Sequence, residues 1–141
     1  MEIDFCVNAA INPVELQHLF DQTDFASGRS PNGIARMIKH TTIHLSAWND
    51  GRLVGFARVI TDWIYRAVID DVVVDKGYRG CGIGSQLIRR LGEELRDVEE
   101  VFFACAAAEV PFYEKLGYEQ ARHPYMKHLN KGVKSALDLF D

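Results

Sequence analysis

Residues 72–84 read Val-Val-Val-Asp-Lys-Gly-Tyr-Arg-Gly-Cys-Gly-Ile-Gly. An apolar run stops at Asp75, a short turn follows, and Arg79 precedes glycines at positions 80, 82 and 84 before a helical pattern begins. Few local structures fit such a stretch except a strand, a bare-backbone turn and a helix. Glycines this dense remove side chains, so backbone N–H groups can approach a ligand closely. A helix starting there adds unpaired N–H groups and a partial positive charge. The combination is an anion cradle suited to phosphate or pyrophosphate. A Walker A loop needs Lys and Ser/Thr after its last glycine, but Ile83 follows Gly82. A dinucleotide fingerprint needs a glycine where Ser85 or Leu87 stands, and Glu99 and Glu100 precede the next strand instead of ending it. A glycine-rich turn without a ligand is the remaining alternative.

Composition narrows the class of partner. The chain has 141 residues, enough for one domain with a sizeable core, and a single domain over 1–141 is expected. Its formal net charge of −4, without a basic block, argues against nucleic acid. That charge suits a cationic substrate mildly and plain solubility better. Cys6, Cys81 and Cys105 are too few and too scattered for a disulfide framework or a zinc site, and Cys6 and Cys105 lie in apolar runs that suggest the core. The five histidines have no ligand-like companions, so no metal is expected. No basic-then-apolar leader opens the chain and no apolar run nears the ~18 residues of a membrane span. A cytoplasmic location away from membranes is the expectation.

Along the chain, Ile3, Phe5 and Val7 alternate as a first strand. Asn12-Pro13 opens a helix with Val14, Leu16, Leu19 and Phe20 on its apolar face. Residues 23–33 read as a loop, followed by a short helix with Ile34, Met37 and Ile38 on one side. Strands 43–48 and 53–61 flank the hairpin signal Asn49-Asp50-Gly51-Arg52. Residues 61–66 turn the chain into a strand over 67–74, so rich in Val and Ile that burial on both faces is expected. Ile83, Leu87, Ile88, Leu91 and Leu95 mark one face of the next helix. A buried strand over 101–107, a helix over 112–116 stopped by Gly117, and a last strand or hairpin from Tyr118 to about Leu129 complete the order. The tail, with Val133, Ala136, Leu137 and Phe140 at helical spacing, suits docking on the body or on a second subunit as a homodimer, or fraying.

The pattern Arg-x-x-Gly-x-Gly, matched by Arg79, Gly82 and Gly84, resembles the coenzyme A pyrophosphate loop of the GNAT family of N-acetyltransferases. Phe112-Tyr113-Glu114-Lys115-Leu116-Gly117-Tyr118 is similar to a second hallmark of that family, and the β-α-α-β-β-β-α-β-α-β order resembles its fold over nearly the whole chain. The resemblance implies an α/β (α+β) three-layer fold whose mixed central sheet splays between strands 67–74 and 101–107. It implies acetyl-CoA as co-substrate, with its pantetheine arm on the backbone of Val72, Val73 and Val74 and its pyrophosphate on Arg79, Gly80, Cys81, Gly82, Ile83, Gly84 and Ser85. An N–H near Val72 would serve as oxyanion donor, and Cys81 is a spectator. One departure is plain: the family often places an Asn before the second motif, where this chain has Ala106-Ala107-Ala108-Glu109-Val110-Pro111.

Acetyl transfer to an amine must overcome the scarcity of free amine, roughly one molecule in a thousand at neutral pH for a pKa near 10.4. Asp70 and Asp71 interrupt an otherwise apolar strand, where burying charge is costly unless it serves a purpose. Adjacent strand residues face opposite ways, so at most one should enter the cleft. The position matching the family's carboxylate or histidine is Asp70, as base or ammonium ligand; Asp71 is the second candidate, and pairing with Arg58 or Arg66 is the structural alternative. Tyr113, turned off a Phe112–Leu116 packing face, is the candidate acid for the departing thiolate. On the acceptor side, Phe25, Trp63 and Tyr65 could wall a pocket together with Asp71, and Arg29 could meet an acceptor carboxylate or phosphate. Residues 69–75 are similar to the corresponding strand of glucosamine-phosphate acetyltransferases. The expected function is transfer from acetyl-CoA to a primary amine of a small molecule or peptide; the alternative is a catalytically weak domain that binds acyl-CoA and regulates a partner.

Overall fold

A computed structural model describes residues 1–105, 107–121 and 127. The chain divides into two compact units, Met1–Cys105 and Ala106–Asp141. The first unit contains β1 (Asp4–Val7), α1 (Pro13–Phe20), α2 (Pro31–His40), β2 (Ile43–Asn49), β3 (Arg52–Thr61), β4 (Arg66–Val74), α3 (Ile83–Glu94) and β5 (Glu100–Phe102), with a 3-10 turn at Lys76–Tyr78. The second holds a 3-10 turn at Ala107–Glu109 and α4 (Val110–Lys115).

The five strands form one open sheet in the order β1-β2-β3-β4-β5. The first three junctions are antiparallel, and β4–β5 is parallel. The mixed sheet with helices on its faces is the expected α/β architecture. The β2–β3 hairpin closes through Asp50 (φ 48°) and Gly51 (φ 76°), with Asn49 paired to Arg52. Both central residues need positive φ in a type I′ turn, which Asp-Gly supplies cheaply.

Leu16, Leu19 and Phe20 of α1 and Ile34 of α2 pack with Ala26, Leu53, Phe56 and Val73 on one face of the sheet. Each Leu, Ile, Val or Phe side chain among them contributes roughly 1.5–3 kcal/mol on removal from water. On the other face, a methyl group at Gly55 would meet Ala47 and Ile83 at 3.1 Å, so α3 lies close against the sheet there. The expected stripe of α3 is buried at Ile83, Leu87, Ile88 and Leu91, and Leu95 just past its end is buried too.

Several expectations are corrected. Val14 is exposed: it occupies the first turn of α1, beyond the face that meets the sheet. The second helix begins inside the expected loop, because Ser30 caps it through Gly33 N–H (3.0 Å) and Pro31 supplies its first turn. β4 is not buried on both faces. Ala67, Ile69, Asp71 and Val73 are buried, whereas Val68 and Asp70 are exposed, because the helices of that side do not extend over them. β5 ends at Phe102, and Cys105 is exposed rather than in the core. The strand is short because its pairing with β4 covers only Arg66–Val68 against Glu100–Phe102.

In the second unit, α4 closes with Tyr118 N–H on Tyr113 C=O (3.2 Å) and Gly117 N–H on Glu114 C=O (3.0 Å), with Gly117 at φ 94°. This is a Schellman close, and the glycine of the motif supplies its left-handed residue. The packing face differs from the expected one: Tyr113 is buried, Phe112 is exposed and Leu116 is half-buried. Residues 118–121 are irregular; the remainder of the expected last strand (Lys127 excepted) and the tail lie outside the described residues.

Candidate active site

Asp75 shapes the turn that follows β4. Its carboxylate accepts from Gly77 N–H (2.8 Å), and its carbonyl accepts from Tyr78 N–H (2.9 Å). The turn is held from two sides. Gln22, just past α1, accepts from Lys76 N–H at 2.8 Å and donates to Asp75 at 3.3 Å. From the β2–β3 hairpin, Arg52 reaches Asp75 at 3.2 Å and Asn49 donates to the Tyr78 hydroxyl at 2.9 Å.

The glycine loop then enters α3. Gly80 and Gly82 have φ of 81° and 82°, and Gly82 is the N-cap, without a side-chain capping bond. A side chain at either would be strained there, although a methyl group would meet nothing within 4 Å. Gly84 lies inside the first helical turn, where a methyl group would meet the Val74 side chain at an ordinary 3.8 Å. Among the described residues, none accepts a hydrogen bond from the backbone N–H groups of residues 80–85. Arg79 is exposed at the entrance, its Nε 3.3 Å from the Val74 carbonyl. The loop therefore presents free N–H donors, a helix N-terminus and a guanidinium in one place, a donor set that fits a pyrophosphate. Cys81 is exposed beside these donors.

Upstream, the pairing of β4 with β5 stops at Val68–Phe102 while β4 continues to Val74. Among the described residues, no strand pairs with β4 on that side alongside Val72, Val73 and Val74, and an extended chain could add there as a strand does. Within this stretch β4 carries a bulge. Arg58 faces Asp70 and Phe56 faces Val73, so Ala57 alone opposes Asp71 and Val72. Asp71 takes φ 53°, a left-handed conformation that Asp tolerates better than most residues. A two-against-one bulge leaves one residue outside the ladder.

The bulge explains why the adjacent carboxylates differ. Asp71 has a fully buried side chain, bound by Arg29 at 2.8 and 3.1 Å and by Arg58 Nε at 2.6 Å. Burial alone would push its carboxyl up, but the hydrogen bonds and charges of Arg29 and Arg58 outweigh it and hold the group below the usual aspartate range. Asp70 is about half exposed, accepts from Asp71 N–H (2.8 Å) and lies 3.2 Å from Arg58 Nη2. Both carboxylates thus share Arg58, as the structural alternative for this pair anticipated, and Arg66 instead pairs with Glu99 and Glu100. Arg29, expected to face an acceptor anion, is committed to Asp71 and lies over the Phe20 ring at 4.9 Å. The Asp71 oxygens are closed to solvent, so the acceptor contact expected of Asp71 is not available in this arrangement. The sequence pointed to Arg58 but not to Arg29, since nothing local to Asp71 indicates a partner in the α1–α2 connection.

Trp63 and Tyr65 are exposed on the β3–β4 turn, and Phe25 is exposed on the α1–α2 connection. Tyr113 lies in the second unit, its ring edge-on to Phe112 at 4.9 Å. Tyr118 is partly buried there, which pushes its phenol up. Among the described residues, no group of three or more His, Cys, Asp or Glu side chains could hold a metal, and no helix is long and apolar enough to cross a membrane.

Comparison with known proteins matches the architecture. The model of the acetyltransferase (GNAT) domain family fits residues 40–120, which takes in β2 to α4 and so both the glycine loop and the Tyr113 motif. A histone acetyltransferase of Glycine max, TAP1, is 32% identical over 131 residues, covering 84% of this chain and 56% of that protein. A glucosamine 6-phosphate N-acetyltransferase of Trypanosoma brucei is 42% identical over 76 residues, covering 48% of this chain and 52% of that protein. The chain thus spans little more than half the length of these relatives. A crystal structure from Deinococcus radiodurans R1 superposes with a TM-score of 0.77 at 30% identity, over 89% of this chain and 87% of that one. With the family model covering more than half of its length, the chain belongs to the GNAT acetyltransferase family.

Proposed function

We propose that the protein transfers the acetyl group of acetyl-CoA to a primary amine. The observation that carries this reading is the run of N–H groups at residues 80–85 without a partner among the described residues, which follows directly on a strand opened at its β5 side. A diphosphate and the extended arm attached to it match that pair of features. The co-substrate supplies an activated thioester, and the residues of the chain do the rest. Asp70, reachable from solvent, holds the incoming ammonium and accepts its proton, directly or through water. The residue released from the ladder at Asp71–Val72 makes a backbone N–H in that stretch the candidate donor to the developing oxyanion. Tyr113 donates to the departing thiolate. Asp71 touches no reacting atom in this scheme: it is a positioning residue that holds Arg58 beside Asp70.

The protein's relatives include a histone acetyltransferase and a glucosamine 6-phosphate N-acetyltransferase, whose acceptors differ in kind. The test is a screen of primary amines with acetyl-CoA, read by release of free thiol. Amine-dependent release above the hydrolysis background is expected, and Asp70→Asn should reduce it. Acetyl-CoA binding without release for any amine would favour a regulatory acyl-CoA-binding domain instead.

A further inference from the structure

Ile60, Val68 and Phe102 stand in register across β3, β4 and β5, yet they are 50%, 43% and 40% exposed. Three large apolar side chains abreast on a sheet form a contiguous apolar strip, about 10 Å across at ordinary strand spacing. Strips of this kind mark interaction sites more often than scattered apolar residues do. Val68 and Asp70 are two apart on one strand and both exposed, so strip and carboxylate share a face. Their separation along the strand is roughly 7 Å.

The next turn extends the apolar surface. Trp63, Ile64 and Tyr65 are all exposed. Their backbone is rigidly built: Asp62 Oδ1 accepts from the N–H groups of Ile64 (2.8 Å), Tyr65 (2.8 Å) and Arg66 (3.2 Å). Those bonds hold the Asp62 carboxyl below its usual range. Thr61 Oγ1 accepts from Trp63 N–H (2.9 Å) and donates to Arg66 C=O (2.7 Å). Carbonyls of Ile64 and Tyr65 accept from Glu99 and Glu100 N–H, both at 3.0 Å, tying the turn to the start of β5. Trp63 is held at φ 68°, a costly conformation for a bulky residue, and such strain concentrates at functional sites.

The charge around the strip selects its occupant. Asp70 flanks the strip on one side along the strand direction, and Asp62, Glu99 and Glu100 lie on the other, with Arg66 already paired to both glutamates. Arg58 and Arg29 are taken up by Asp70 and Asp71. Acidic groups outnumber basic ones, and each nearby guanidinium has a carboxylate partner, which suits a cation and leaves no ready ligand for a phosphate.

Resting on the acetyltransferase reading above, we infer that the acceptor is a small primary amine with an aryl or alkyl body, its ammonium on Asp70 and its carbon skeleton along Val68, Ile60 and Phe102. Phosphorylated amino sugars find no uncommitted guanidinium here, and a second ammonium finds Asp62 engaged by backbone N–H groups and Glu99 and Glu100 by Arg66. The discriminating experiment compares kcat/KM with acetyl-CoA for phenethylamine and hexylamine against glucosamine 6-phosphate and putrescine. An advantage of at least tenfold for the first pair is expected. Val68→Thr keeps the β-branched shape and so the sheet; with Phe102→Ser as second variant, each should raise KM for phenethylamine about tenfold, a change typical of lost apolar contact. Neither should alter the thermal shift given by acetyl-CoA. Binding is read separately by phenethylamine quenching of Trp63 fluorescence, with Trp63→Phe as control. That readout stands even if no amine is acetylated, which would count against the transferase reading alone. Preference for the sugar phosphate or putrescine, no quenching, or unchanged KM in both variants would overturn the inference. So would a wild-type dimer by light scattering that Val68→Thr dissociates, since the strip would then be a subunit interface.

Discussion

Gly82 and Gly80 are the residues whose roles follow most directly from geometry. At φ 82°, Gly82 caps α3 where a side chain would be strained. Gly82→Ala should cost about 1 kcal/mol in a urea titration. Gly82→Glu should also abolish acetyl-CoA binding in calorimetry, since it places a carboxylate among the donors. Normal binding by the glutamate variant would mean that the loop holds no anion. Tyr113→Phe addresses the other candidate: general acid catalysis typically contributes 10²–10⁴-fold, so turnover should fall by at least tenfold with acetyl-CoA affinity held. Unchanged turnover would leave Tyr113 as the buried packing residue that its low exposure equally describes.

At the scale of elements, the Arg29–Asp71–Arg58 cluster joins the α1–α2 connection to β3 and β4. Removing one member of a buried charged group commonly costs 3–5 kcal/mol. Arg29 is 34% exposed and can turn to water, so Asp71→Asn should cost about 2–3 kcal/mol. Because the folded-state carboxyl is held below its unfolded value, the stabilisation is complete above the unfolded pKa of about 3.9 and disappears as pH falls through the lower folded value. The gap in unfolding free energy between wild type and Asp71→Asn should therefore be flat from pH 7 to about pH 5 and close below about pH 4. A gap that persists unchanged at pH 3 would mean that packing, not charge, holds Asp71.

This cluster also shows where sequence ceases to reveal structure. The hairpin at Asp50-Gly51, the α3 stripe and the Gly117 stop were legible because their signals lie within a few residues of the structure they specify. Ser30-Pro31 is an equally local cap that the surrounding polar residues concealed. Arg29 lies 42 residues from Asp71 and Gln22 lies 54 residues from Lys76, and no local pattern encodes such pairings. The exposure of Val68 was hidden for a related reason. A Val-rich strand reads as buried on both faces, and only the placement of α1 and α2 decides which residues they cover.

For the molecule as a whole, ligand linkage gives the broadest test of the coenzyme reading. Anything that binds only the native state stabilises it by RT ln(1 + [L]/Kd), about 2.7 kcal/mol at a hundredfold excess over Kd. For a chain of 141 residues this amounts to an upward Tm shift of roughly 5–15 °C with saturating acetyl-CoA. The shift should be smaller with the free pantetheine thiol, which lacks the diphosphate and so leaves the N–H groups of residues 80–85 without their partner. Hydrogen exchange should localise the effect to residues 72–86, because stabilisation by a bound ligand is greatest where its contacts oppose local opening. Equal shifts from acetyl-CoA and pantetheine would remove the loop from the binding site while leaving the opened strand in it, and no shift from either would remove both.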